Sequence, residues 1–295
     1  MRLLDLSSVG YTAATRAFTY DWRAPAIYAL GIGARRDALG YLYEVARGGM
    51  AVYPTFAVIP AHALVVEMLG KCGGELTTAV HGGQMVRLHR AIPPSGTIEV
   101  SGRIAGIYDA RAFGRVVLEI DATLAGEPLF ETEWSILFRG GGGFGGAAPP
   151  AEDEATPPAR EPDWCVEAAT SPEQALLYRV SADVSPLHAD PEFAAMAGFP
   201  QGPILHGLCT YGFAARAIID RCAGGDGTKL RAFAARFRKP VWPGDTLVIQ
   251  GWSLAGGRVV VAARAAGRPE LVLSNGWAEL EGREASAIAS DTSRA

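Results

Sequence analysis

Asp183, His188 and the His206-Gly207 pair fall within one stretch, Tyr178 to Thr210, which reads YRVSADVSPLHADPEFAAMAGFPQGPILHGLCT. A carboxylate and an imidazole can share a water and move its proton, because an imidazole titrates near neutral pH. A glycine amide near the start of a helix can meet developing negative charge with an unpaired N–H. At these distances the three can be parts of one acyl-thioester site. The plainer alternative for the residue types alone is a capping acid and a packed histidine.

The elements that must position these groups are legible as two similar halves. Tyr28-Ala-Leu-Gly-Ile-Gly in the first half is matched by Tyr178-Arg-Val-Ser-Ala-Asp in the second, and Val80-His81-Gly82 resembles Leu205-His206-Gly207. Period-2 alternation between glycine-containing turns predicts strands over Thr97–Ile107, Arg115–Leu124 and Pro128–Arg139 in the first half. The same reading gives Arg231–Arg238, Thr246–Leu254, Arg258–Ala265 and Glu270–Leu280 in the second. Ile204, Leu208, Tyr211, Ala215 and Ile218 recur at helical spacing within Pro203–Asp220, and Ala61–Lys71 is a shorter helical candidate. Short helices followed by long runs of strands predict an α+β fold rather than alternating βαβ units. One helix wrapped by a curved antiparallel sheet, repeated, is a double hot-dog.

Residues 140–163, GGGGFGGAAPPAEDEATPPAREPD, separate the halves. Their composition predicts a linker or exposed crossover, since little apolar area is available to offset ordering entropy. The expected organisation is therefore an N-terminal hot-dog over 1–139, the linker over 140–163, a C-terminal hot-dog over 164–283 and a frayed tail over 284–295. The chain has 295 residues, 49% hydrophobic and 20% charged, which suits a large core and about two domains. A net charge of −4 argues against non-specific nucleic-acid binding. No apolar run is long enough for a membrane-spanning helix, the start of the chain lacks a secretory signal, and Ser293-Arg294-Ala295 is a poor peroxisomal address. A cytoplasmic protein is the expectation. Cys72, Cys165, Cys209 and Cys222 lack metal-type spacing and are read as reduced thiols.

The stretch Tyr178–Thr210 resembles the hydratase 2 family, the MaoC-like (R)-specific enoyl-CoA hydratases and (3R)-hydroxyacyl-CoA dehydratases. The resemblance rests on Tyr178-Arg179-Val180-Ser181-Ala182-Asp183-Val184-Ser185-Pro186-Leu187-His188-Ala189-Asp190-Pro191, on Ala197-Gly198-Phe199, and on Pro203-Ile204-Leu205-His206-Gly207-Leu208-Cys209-Thr210. YALGIGA at 28–34, PTFAV at 54–58, His81-Gly82, Pro94-Ser95-Gly96, GGFGG at 142–146 and RFRKPVWPGD at 236–245 extend it to about residues 20–283. The chain departs from the family in having Ser185 where Asn is usual, and in an extra residue near Gln201-Gly202.

This resemblance implies reversible syn hydration of a trans-2-enoyl-CoA to the (3R)-hydroxyacyl-CoA. Asp183 and His188 would be the dyad, the Gly207 N–H the oxyanion donor, and Ser185 a group that positions water or substrate, preserving activity or tuning the acyl range. His81, Gly82, Arg111, Val184, Pro186, Leu187 and Phe237 would contact the acyl-CoA. Arg236, Arg238 and Lys239 would meet its phosphates, the alternative being a solvated strand edge. The first half has Gly33 against Asp183 and Ala38 against His188, so it is expected to be catalytically silent and to house the acyl tail, of medium, long or branched type. No metal and no cofactor are expected, because CoA enters as part of the substrate. An acyl carrier protein is the alternative thioester partner, and a homodimer is the expected assembly.

His206 is read as orienting its turn, and His62 and His89 as incidental. Gly31-x-Gly33 does not make a dinucleotide fingerprint, and no Gly-x-Ser-x-Gly supports a serine hydrolase. A hot-dog thioesterase and a non-catalytic acyl-thioester binding subunit are the remaining alternatives.

Overall fold

The computed structural model describes residues 3–151, 155–181 and 183–281. The expected tail at 284–295, Glu152–Glu154 of the crossover and Ala182 of the motif lie outside the described residues.

Each half contributes five strands to one antiparallel sheet. The first half supplies β1 (Thr12–Tyr20), β2 (Ala79–Leu88), β3 (Gly96–Ala110), β4 (Phe113–Leu124) and β5 (Glu127–Arg139). The second supplies β6 (Trp164–Ala169), β7 (Leu230–Phe237), β8 (Thr246–Ser253), β9 (Arg258–Ala265) and β10 (Leu271–Leu280). The order across the sheet is β1-β3-β4-β5-β2-β7-β10-β9-β8-β6. The two halves therefore share one topology in mirror order, joined where β2 pairs with β7 from Gly83↔Arg236 to Arg87↔Ala232. The seven strands expected from alternation are present within a few residues of their predicted ends. The central strand β2 and the edge strands β1 and β6 are additional.

A long helix lies against each half of the sheet. In the first half α2 (Val58–Lys71) buries Val58, Ile59, Ala61, Leu64, Val65 and Met68, a helical stripe facing β1, β3, β4 and β5. It begins earlier than the predicted Ala61, because the 3-10 turn Pro54–Ala57 leads straight into it. In the second half α5 (Gly207–Cys222) buries almost every residue from Leu208 to Ile219. It starts at Gly207, not at Pro203, and His206 is its N-cap residue. The extended His206 (φ −58°, ψ 135°) delays the first helical turn to Gly207.

Short helices build the rest. Tyr28 lies in α1 (Arg23–Gly31) and Tyr178 in α3 (Gln174–Arg179), with ring centroids 6.0 Å apart, and Gln174 Nε2 donates to the Gly31 carbonyl at 2.7 Å. The Tyr28 and Tyr178 repeats are thus equivalent in space. The His-Gly repeats are not: His81-Gly82 lies on β2, whereas His206-Gly207 begins α5. That sequence similarity joins a strand to a helix start, and shared dipeptides carry too little information to tell the two apart.

The described residues of this crossover strap, 140–151 and 155–163, are held to the sheet at several points. The Asp109 carboxylate accepts the N–H groups of Gly143 and Gly145 at 2.8 Å each. Further on, Ala155 is buried with Trp252, Val260 and Ala262 on the sheet face away from the helices. The strap has little apolar area of its own, but it is held by a carboxylate and by a sheet face already present.

Gly212 is the point of closest approach between α5 and the end of α1. A Cβ there would stand 2.3 Å from Ile32 Cγ2, and Ile32 is fully buried. Gly212→Ala is expected to destabilise the protein by about 1–3 kcal/mol, because overpacking outweighs the gain in helix propensity. Urea unfolding curves of the two proteins with equal slopes and a lower midpoint for the variant would show it.

Candidate active site

Asp183 and His188 come together on the irregular chain between α3 and α5, not on a regular element. Pro186–His188 forms one 3-10 turn, followed by α4 (Pro191–Met196), whose N-cap Asp190 accepts from Glu192 N and Phe193 N. These local bonds hold a segment that would otherwise be mobile. His188 Nε2 lies 3.9 Å from Asp183 Oδ2, close enough for one water to touch both and too far for a direct hydrogen bond.

The roles of the ring nitrogens follow from their partners. His188 Nδ1–H donates to the Ile204 carbonyl at 2.8 Å, which leaves Nε2 as the basic nitrogen facing Asp183. His206 Nε2–H donates to the Asp183 carbonyl at 3.1 Å, and its ring stacks on His188 with centroids 3.7 Å apart. His206 therefore holds the segment in place, as its turn-orienting role predicts. Asp183 Oδ1 accepts the Ser185 N–H at 3.0 Å.

Burial pushes the His188 imidazole below its ordinary pKa, and the Asp183 charge only partly restores it. Burial, with the neighbouring His188, pushes His206 down to about 3. Burial works the other way on Asp183, but the imidazoles of His206, His188 and His62 and the Ser185 N–H outweigh it and hold the carboxyl below its usual value. Near neutral pH Asp183 is thus a carboxylate beside the neutral imidazoles of His188 and His206.

Gly207 is the first residue of α5. The first amide bonds back to His206 O come from Cys209 and Thr210, ahead of which the Gly207 N–H stands at the positive end of the helix. The ring of Phe237 covers this end: a Cβ on Gly207 would lie 3.2 Å from Phe237 Cδ1. Phe237 also meets His81 edge-on at 4.8 Å, and His81 stacks on Trp134 at 5.0 Å and 7°. Gly82 is the extra residue of a β-bulge, since His81 faces Ile136 while Gly83 faces Ser135 on β5. Burial lowers the His81 pKa to about 4, so this ring is a neutral wall.

Other expected residues lie elsewhere. The Ser185 hydroxyl caps its own turn, accepting from Leu187 N at 3.4 Å. Val184 and Pro186 are exposed and Leu187 half-buried on the same segment. Arg111 sits at the β3–β4 turn with φ 65°, exposed, its N–H held by Asp109 at 3.0 Å. Strand alternation sends Arg236 to the face opposite Phe237, where it lines a cavity of about 420 Å³ with Arg115 and Glu133, beneath Pro150 and Ala151 of the strap. Arg238 donates to Ser274 Oγ at 2.6 Å, and Lys239 is exposed. That cavity lies on the sheet face opposite the dyad. In the first half the position matching Asp183 is closed off: a Cβ on Gly33 would meet Phe213 Cζ at 2.4 Å.

One residue read as incidental is part of the site. His62, on α2 of the first half, brings Nε2 to 3.9 Å from Asp183 Oδ1. No local motif marks it; only the pairing of the halves brings it there.

Asp183, His188 and His206 are also the cluster, among the described residues, whose ligand atoms lie within 4.8 Å of one another. The donor chemistry fits a divalent ion poorly. Two stacked rings have nearly parallel planes, and one ion about 2.1 Å from both nitrogens cannot lie in both planes.

Residues 18–140 match the MFE-2 hydratase 2 N-terminal domain, and residues 153–264 match the MaoC like domain. The 3-hydroxyacyl-thioester dehydratase Y of Mycobacterium tuberculosis is 37% identical over 94% of this chain and 98% of its own length. The peroxisomal enoyl-CoA hydratase 2 of Arabidopsis thaliana is 36% identical over 91% and 93%. This chain belongs to the MaoC-like hydratase 2 family. These enzymes are hydro-lyases. The crystal structure of a MaoC-like dehydratase from Phytophthora capsici superposes with a TM-score of 0.83 at 27% identity, covering 94% of this chain and 97% of that one. A Mycobacterium tuberculosis protein described as having a double hotdog fold shares the fold at TM-score 0.57 and 17% identity.

Proposed function

We propose that this member of the family hydrates trans-2-enoyl-CoA reversibly to (3R)-3-hydroxyacyl-CoA. The observation that carries this reading is the 3.9 Å gap between Asp183 Oδ2 and His188 Nε2, beside the free amide end of α5. A water held in that gap donates to the carboxylate and to the basic imidazole nitrogen. As its oxygen attacks C3, its proton leaves to the dyad, and the proton delivered to C2 comes from the same side. Addition is therefore syn. Charge that moves onto the thioester oxygen is met by the Gly207 N–H. The scheme draws on no metal and no cofactor.

Support for the CoA thioester comes from relatives named enoyl-CoA hydratase 2. A carrier-protein thioester is the second reading, favoured by the relative named only as a thioester dehydratase. A medium, long or branched acyl group, a homodimer and a cytoplasmic location complete the proposal. No helix among the described residues is long and apolar enough to cross a membrane.

The deciding assay follows loss of conjugated-thioester absorbance across trans-2-enoyl-CoAs of increasing length, with chiral analysis of the product. Absence of hydration with every chain length would refute the proposal, and release of free CoA would indicate a thioesterase. The pH dependence follows from the His188 shift. Neutral imidazole is the active form, and its folded pKa lies below the ordinary 6.5. Turnover should therefore persist down to that value and fall only at lower pH, with an acid limb of kcat/KM placed below 6.5. Dialysis against a chelator should leave kcat unchanged.

A further inference from the structure

We propose that His62 is a positioning residue for Asp183, contributed by the half of the chain that lacks the dyad. The inference deepens the hydratase reading and rests on it.

Asp183 stands on irregular backbone, so its carboxylate needs fixing from outside its own segment. The two oxygens have different surroundings. Oδ2 faces His188 across the gap proposed for the water. Oδ1 is held by the Ser185 N–H at 3.0 Å and faced by His62 Nε2 at 3.9 Å. The Ser185 hydroxyl oxygen accepts from Leu187 N at 3.4 Å. His62 is the side chain that reaches Oδ1 from across the interface.

Its mounting is rigid. Ala61, Leu64 and Val65 on either side of it are buried, and its ring meets the Trp134 indole edge-on with centroids 6.3 Å apart. Trp134 is itself fixed by Nε1–H to Thr132 Oγ1 at 3.0 Å. His62 retains 21% side-chain exposure, and a closure of about 1 Å or one bridging water would complete the contact. With Oδ1 engaged, Oδ2 is left for the water. The groups that face Asp183 are then His188 on its own segment, His206 before α5 and His62 on α2, with His81 on β2 and Tyr178 on α3 also within its field.

The test compares His62→Leu, which keeps volume against Trp134, with His62→Gln, whose amide donor reaches the depth of Nε2. His62→Leu should lower kcat about ten- to hundredfold, the range expected when a reacting group is displaced by about 1 Å. KM should stay within about twofold. The Asp183 carboxyl itself should titrate at higher pH, because it loses a neighbour that lowers its pKa. His62→Gln should recover most of the kcat. His62→Asn, whose amide falls short of Oδ1, should behave like Leu and replaces it if Leu does not fold. Parent kcat in a folded Leu or Asn variant would overturn the proposal. Equal losses in Gln and Leu, or a change confined to KM, would overturn it too. Carbon-13 NMR titration of the Asp183 carboxyl without substrate separates the two readings. An upward shift in His62→Leu is expected even if no enoyl thioester is hydrated, and an unmoved Asp183 titration would refute the positioning role alone.

Discussion

Asp183→Asn and His188→Ala are each expected to lower the kcat of enoyl-CoA hydration by about 10²–10⁴. The Asn side chain keeps the shape of Asp183 and can still accept the Ser185 N–H, so the fold is retained while the charge that holds the water is lost. Removing the His188 ring deletes the basic Nε2. It also leaves the Ile204 carbonyl without its partner and His206 without its stacked neighbour, so some stability is lost as well. The double variant should be little worse than either single one, because two groups that share one water act as a unit. Steady-state kinetics on the three proteins, with circular dichroism to confirm folding, is the measurement. Full turnover in either single variant would sink the dyad.

Gly207→Pro should cost about 10²–10³ in kcat through loss of one oxyanion donor. The substitution is unusually clean at this position. Proline is tolerated as the first residue of a helix, where its missing N–H has no intrahelical partner. The residue before it must be extended, and His206 already is, with ψ 135°. Gly207→Ala serves as the control. It adds a Cβ against Phe237 but keeps the N–H, so its loss measures the shift of the aromatic ring alone. An equal loss in the Ala and Pro proteins would show that the space, not the amide, is what the site needs.

Much of this architecture is visible in the amino-acid order. Alternation with glycine breakers marks seven strands to within a few residues, because one sheet face packs on the helices, the other is more polar, and turns are punctuated. Three strands escape: β1 buries only Ala13 and Tyr20, β6 is short and follows a proline-rich strap, and the central β2 lacks clean alternation, with Gly82 and Gly83 at its bulge. Helices α1, α3 and α4 are too short for a 3.6-residue period to emerge. Among site residues, Asp183, His188 and Gly207 are carried by one local motif and come together as expected. Ser185 shows the limit of residue type alone, since its hydroxyl oxygen caps its own turn by accepting from the Leu187 N–H. His62 shows the limit of local patterns, since its partner lies in the opposite half of the chain.

The β2–β7 seam bears on how such a site can diverge. Were the sheet closed by two identical chains, every substitution would appear on both sides of the symmetry axis. One covalent chain removes that constraint. His62 and Tyr211 each stand four residues in from the first residue of their helices, Val58 and Gly207, yet one faces a carboxylate while the other donates to the Phe233 carbonyl at 2.6 Å. Gly33 and Asp183 differ in the same way. Fusion thus permits broken symmetry at the seam: one side keeps the reacting groups, and the other is free to supply a single histidine and a wall.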